Sequence, residues 1–168
     1  AAELYTEEVI LPKSEFVAMG FERSEHPSVK PELTIYCKYG LAPGRYVLYC
    51  GRKESGKNLD LLLSFYDSEQ QYPLVIAGAG EIDFRDGLPA NVVDCGFVSE
   101  EEKAALIEGA LCLIQLSENE SLSIVLFESW LRGTPVIVSK NCDVTEHHIA
   151  KSNGGFAIVS MEEFRDAI

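Results

Sequence analysis

This chain is short of positive charge. Its 168 residues carry 14 Lys and Arg against 27 Asp and Glu, a formal net charge of -13. Nucleic acid and anionic membrane surfaces would be repelled by that balance, so neither is expected as a partner of this domain. Long apolar runs are missing as well. None approaches the ~20 residues that span a bilayer, and the N-terminus shows no signal-peptide pattern. The five cysteines, Cys37, Cys50, Cys95, Cys112 and Cys142, contain no C-x-x-C pair, and none stands at ligand spacing from the adjacent His147 and His148. A zinc site therefore has no support. Three of these cysteines lie in apolar, strand-like surroundings, the pattern of buried reduced thiols in a cytoplasmic protein. Internal repeats and low-complexity segments are also absent.

What remains is an ordinary globular mixture, 46% hydrophobic and 24% charged, long enough for one domain with a sizeable core. From residue 46 onward short apolar runs alternate with amphipathic stretches. Strands are expected at YVLYC (46–50), PLVIAGAG (73–80), NVVDCGF (91–97), LCLIQL (111–116), PVIVS (135–139) and FAIV (156–159). Helices are expected at 58–68, from the Ser99/Glu102 capping box to about Ala110, and over 122–133, where Gly133 stops the run. Asp143 with Glu146 and Ser160 with Glu163 read as two further capping boxes. Strands apolar throughout, separated by helices, indicate a Rossmann-like α/β fold: a parallel sheet with helices on both faces. Residues 1–45, holding Pro12, Pro27, Pro31 and Pro43, read as a lead-in crossing the surface of a domain that spans 46–168.

Sheets of this kind bind ligands beyond the carboxyl ends of their strands, which here means the loops after Cys50, Ala77, Cys95 and Leu116. The first of these loops, in "YVLYCGRKESGKN" (46–58), concentrates Arg52, Lys53 and Lys57 within six residues of an acidic chain. Two readings expect a phosphate there. One is a P-loop, G-x-x-x-x-G-K, but Asn58 replaces the Ser or Thr that holds Mg²⁺, and Asp94 is a thin candidate for the second metal contact. The other is a diphosphate clamp formed by Arg52 and Lys57, with Lys53 a solvated charge. A dinucleotide-binding loop is disfavoured, because "GAGEID" (78–83) breaks at its third glycine position.

The stretch "SENESLSIVLFESW" (117–130) carries the sharpest chemistry. Glu128 is the only charged residue between Leu122 and Leu131, on a segment apolar nearly all round and therefore expected to be buried. Such a carboxylate either pairs internally, with Arg132 four residues on as a candidate, or faces a polar ligand. Glu120 lies just ahead of the helix. Between the two acids sits the helix N-terminus, an anion site. That order suits a nucleotide-sugar: ribose hydroxyls, diphosphate, sugar hydroxyls.

Glu120 and Glu128, as E-x7-E, together with "RGTPVIVS", resemble the signature of the group 1 family of retaining glycosyltransferases. These have the GT-B fold, two Rossmann-like domains facing a cleft, the C-terminal one holding the donor. "VAMGFE" (17–22), "YCGRKESGKN", "LVIAGAGE" and "VVDCGFVSEEE" extend the likeness in order from about Val17 to Ile168. The resemblance implies a nucleoside-diphosphate sugar as donor, no cofactor and no obligatory metal. It makes Arg52, Lys57 and Glu120 the catalytic groups, with Gly51 and Gly78 at the glycine turns. Glu128 would bind the ribose, backbone near Phe97 and Val98 the base, and the N–H groups of Leu122, Ser123 and Ile124 the phosphate or sugar. It also implies an N-terminal acceptor-binding domain beyond this chain, so that the 168 residues alone bind nucleotide weakly and transfer little sugar. A cytoplasmic location follows, with any contact at the inner face of a membrane left to that other domain. The family usually has Gly-Phe-Gly after the first Glu, and this chain has Ser121-Leu122-Ser123. A non-catalytic module that binds nucleotide-sugar or serves as a scaffold therefore stays open as an alternative.

Overall fold

Every strand of the expected series forms. In the computed structural model, which describes residues 32–66, 70–82 and 87–168, the strands are β1 (Val47–Cys50), β2 (Leu74–Ala77), β3 (Val92–Gly96), β4 (Cys112–Gln115), β5 (Val136–Ser139) and β6 (Gly155–Ile158). All pair in parallel, in the order β3-β2-β1-β4-β5-β6. Helices α1 (Glu32–Tyr39), α2 (Leu59–Phe65), α3 (Glu100–Gly109), α4 (Ile124–Leu131), α5 (Asp143–Ser152) and α6 (Met161–Ala167) cover the two faces.

The reason for unbroken apolar strands is visible in how they divide. Tyr46, Leu48, Cys50, Val75, Ala77, Leu113, Val136 and Val138 point into one core, shared with Ile35 of α1, Leu106 of α3, Leu126 of α4 and Ile149 of α5. Their neighbours Val47, Tyr49, Leu74, Ile76, Cys112, Ile114 and Ile137 point into a second core with Leu62 of α2 and Phe164 of α6. Alternate side chains thus serve opposite layers, as the pleat requires. The three phenols at the first core are satisfied: Tyr46 donates to the carbonyl of Leu106 at 2.6 Å, Tyr36 to that of Ala105 at 2.6 Å and Tyr39 to that of Cys95 at 3.1 Å.

Several local expectations are corrected. The end of the supposed lead-in is a helix, α1, which packs on α3 and buries Ile35; three prolines nearby had masked its short pattern. "VAMGFE" lies outside the described residues. The Ser99/Glu102 capping box is complete. Asp143, however, is already inside α5, whose N-cap is Cys142. Ser160 caps α6 by accepting from the Glu163 N–H, while the Glu163 carboxylate accepts from Val159 rather than from Ser160. Among the residues of α4 only Leu126 and Ser129 are buried, and Ile124 is 48% exposed, so this helix is not enclosed on all sides. The described cysteines are free, four buried and Cys37 exposed. No helix among the described residues is long and apolar enough to cross a membrane.

Candidate functional site

The strand order reverses between β1 and β4. Chain leaving β1 runs toward β2, while β4 starts the other half of the sheet, so their carboxyl-end loops part and leave a crevice at this switch point. One wall is the loop Gly51–Asn58, the other the loop Leu116–Ser123.

The first wall is held firmly. The Gly51 N–H donates to Ala77 and the Lys53 N–H to Ala79, extending the parallel ladder past the strands. Tyr49, whose ionisation is pushed up chiefly by burial, donates its hydroxyl to the Arg52 carbonyl at 2.7 Å. Gly78 permits this course: at φ 147° a Cβ there would overlap the Gly51 carbonyl oxygen. Its role is to let one backbone lie on another. At the far end a single 3-10 turn, Ser55–Lys57, leads to Asn58 in the left-handed region at φ 52°. The Asn58 amide donates to the Leu116 carbonyl at 2.9 Å and ties the two walls together.

That tie brings Lys57 to Glu120. The Lys57 Nζ stands 2.6 Å from Glu120 Oε1, with the two side chains 17% and 11% exposed. Two residues separated by 63 positions, both assigned to the donor from the sequence, therefore meet at the switch point. Arg52 is 70% exposed and pairs at 2.9 Å with its neighbour Glu54. Lys53 is the correction on this wall. Far from being a solvated charge, its side chain is 3% exposed and grips both oxygens of Asp94 at 2.7 and 2.8 Å. Asp94 also accepts from the Gly96 N–H, so its carboxylate is committed to structure. With Asn58 on the Leu116 carbonyl and Asp94 occupied, the P-loop reading loses both of its metal contacts.

On the second wall, Gln115 is buried and its side-chain oxygen accepts from the Ser117 hydroxyl at 3.0 Å. Ser121 is exposed, Leu122 half-buried, and Ser123 buried at the N-cap of α4 in the left-handed region, φ 59°. No side chain caps the helix, and the Ser123 hydroxyl, buried, has no partner. The family's glycine at this position has a physical reason: the left-handed backbone costs a residue with a Cβ about 1 kcal/mol or more. The N–H groups at the start of α4 are left for another acceptor.

Glu128, one turn from the far end of α4, is half-buried. Its carboxylate pairs with Lys103 of α3, Nζ to Oε1 3.0 Å, the side chains 21% and 24% exposed. Arg132, the partner considered from the sequence, instead donates to the Glu128 backbone carbonyl at 3.2 Å. Burial opposes the charge of Lys103, but hydrogen bonds to Glu100 and Glu128 outweigh it and hold its pKa above the ordinary lysine value. The Cys50 thiol at the end of β1 is pushed up to about 11, chiefly by burial. After β3, Phe97 stands 82% exposed while Val98 is buried.

Lys103, Asn58 and Tyr49 are the residues that sequence reasoning missed. Nothing in the spacing of Lys103 distinguishes it from an ordinary helix-surface lysine, and its pairing crosses from α3 to α4. Asn58 was read only for what it failed to be.

Among curated proteins, a GDP-mannose-dependent alpha-(1-6)-phosphatidylinositol dimannoside mannosyltransferase of Mycobacterium tuberculosis (strain ATCC 25177 / H37Ra) is 30% identical over 110 residues, 60% of this chain and 28% of the relative. Among solved structures, WaaG, a glycosyltransferase involved in lipopolysaccharide biosynthesis, superposes with a TM-score of 0.68 at 21% identity, over 86% of this chain and 43% of that one. Anabaena Alr3699/HepE in complex with UDP and glucose gives 0.64 at 19% identity, over 83% and 41%. At these identities the structural likeness is one of fold, and the chain spans under half the length of each relative. The sequence family described as glycosyl transferases group 1 matches residues 40–168, every strand of the sheet included, and the chain belongs to that family.

Proposed function

We propose that this chain is the donor-binding half of a retaining glycosyltransferase. It holds a nucleoside-diphosphate sugar at the switch point and presents it to an acceptor carried on another domain. The observation that carries this reading is the Lys57–Glu120 contact, which joins the β1 and β4 loops beside the uncapped start of α4. There the Lys57 ammonium and the N–H groups of Leu122, Ser123 and Ile124 would meet a diphosphate, and the exposed Arg52 fork would join them on leaving Glu54. On leaving, the diphosphate gathers negative charge, and fixed donors already aimed at it lower the barrier. No divalent metal is required in this scheme, because the cations are supplied by Arg52 and Lys57. Glu120 would accept from hydroxyls of the transferred sugar and Glu128 from those of the ribose, with the base lying along the backbone at Phe97 and Val98. The mannosyltransferase's stated use of GDP-mannose and the HepE complex with UDP and glucose fit a donor of this class. Buried reduced thiols fit a cytoplasmic setting.

The test is calorimetric titration with UDP, GDP and ADP, each with and without chelator. Metal-independent binding of one of them, lost in Glu128→Ala, supports the reading; binding of none refutes it. A second reading, a nucleotide-sugar-binding module without turnover, is favoured by the strained Ser123 where the family has glycine. Release of sugar from the bound donor, by transfer or hydrolysis, separates the two.

A further inference from the structure

Binding a ribose diol needs only the Glu128 carboxylate, yet that carboxylate is paired with Lys103. Glu128 sits on the last two turns of α4 and carries the only charge on that helix. A glutamate there has three side-chain torsions to fix before both oxygens face a diol. It also brings a negative charge to the edge of a chain already at -13, beside the place assigned to a diphosphate. Lys103 meets both difficulties. It reaches across from α3, takes one oxygen at 3.0 Å and is itself steadied by Glu100 at 2.7 Å. Glu100 is 81% exposed, so its side of the bridge is largely screened by water, and the half-buried Glu128 contact is the stronger one. An ammonium carries three donors in a tetrahedral array, and two of them are spent on the two carboxylates.

We infer that Lys103 is a positioning residue for ribose recognition: it fixes the Glu128 carboxylate so that it accepts from the two ribose hydroxyls together, and so makes the site prefer ribonucleotides to 2′-deoxyribonucleotides. This rests on the donor-site reading given above. Lys103 acts through Glu128 alone, and its own contact with the nucleotide is not required. Its effect therefore disappears when Glu128 loses its charge.

The experiment is titration of the chain and its variants with UDP, GDP and ADP and with their 2′-deoxy counterparts, reading the affinity ratio of ribo to deoxy for whichever base binds best. A diol held by a carboxylate should give a ratio of about tenfold in the unaltered chain. Glu128→Gln should bring it close to one, and Lys103→Met to within about twofold of one. Lys103→Arg should retain more than half of the original preference. In the Glu128→Gln background, where the one acid left without Lys103 is the exposed Glu100, adding Lys103→Met should change nothing further. An unchanged ratio in Lys103→Met with the preference lost in Glu128→Gln overturns the role of Lys103 and leaves the donor site intact. Independent, multiplicative losses in the double variant do the same. A chain that binds none of the nucleoside diphosphates overturns the donor site and this inference with it.

Discussion

Consider replacing Lys57 by Met, which keeps the aliphatic stem and removes the ammonium. At a Nζ–Oε1 separation of 2.6 Å and an effective dielectric near 20, the attraction to Glu120 is ~6 kcal/mol. Taking both groups out of water and fixing two long side chains returns most of that, and the net worth of the pair is about 2 kcal/mol. Removing either partner alone leaves a charge at 11–17% exposure with no counter-ion, a cost of about 2–3 kcal/mol each. Glu120→Gln and Lys57→Met together leave no such charge, and the pair of changes should cost about as much as one of them. Urea unfolding of the four proteins gives the coupling directly, provided the m-value is constant across them. The binding measurement has an opposite sign for the two variants. Lys57→Met weakens binding of the nucleoside diphosphate, whereas Glu120→Gln releases the ammonium and strengthens it several-fold. Stabilities that add to within about 0.5 kcal/mol would refute the reasoning, and so would a Glu120→Gln protein that binds nucleotide as weakly as Lys57→Met.

Ser123→Gly relieves a left-handed residue and removes a buried hydroxyl without a partner. Set against the extra freedom of glycine when unfolded, it should stabilise the chain by about 1 kcal/mol, or ~3 °C in melting temperature; a lower Tm would count against the strain. Lys53→Ala should not be silent. It strands Asp94 and loosens the clamp loop, costing about 2 kcal/mol by denaturant titration, and an effect below a few tenths would place Lys53 in solvent after all. Burial pushes Cys50 up to about 11 and Cys95 and Cys112 up to about 12. Alkylation of the native protein at pH 8, followed by mass spectrometry, should therefore modify the exposed Cys37 and spare those three until urea is added. The same shifts set an alkaline limit. Above pH 9, the ordinary thiol value, the unfolded chain sheds protons that the folded chain retains, so stability falls as pH rises toward 12. Lys103, held above 10.5, loses its contribution in the same direction as pH climbs past its raised pKa. Flat stability from pH 9 to 12 would contradict both.

The sequence by itself determined the sheet. Runs such as those in β1, β2 and β5 are apolar at consecutive positions because alternate side chains serve different cores, and that pattern is local enough to be read without coordinates. It also determined which loops matter, since parallel strands must end at one edge, and it marked Lys57 in a basic, glycine-flanked loop, Glu120 just ahead of a helix and Glu128 as the lone charge on an apolar one. The family likeness rested on the order of such segments along the chain. Partner choice was another matter. Lys53 and Lys57 are four positions apart in one loop, yet one is locked on Asp94 of β3 and the other on Glu120 after β4. Lys103 looked like any helix-surface lysine and holds the carboxylate for which Arg132 was the candidate partner. An ion pair is decided by distances of a few ångströms between segments far apart in sequence, and only the packing of α3 against α4, and of the β1 loop across the β2 turn at Gly78, sets those distances.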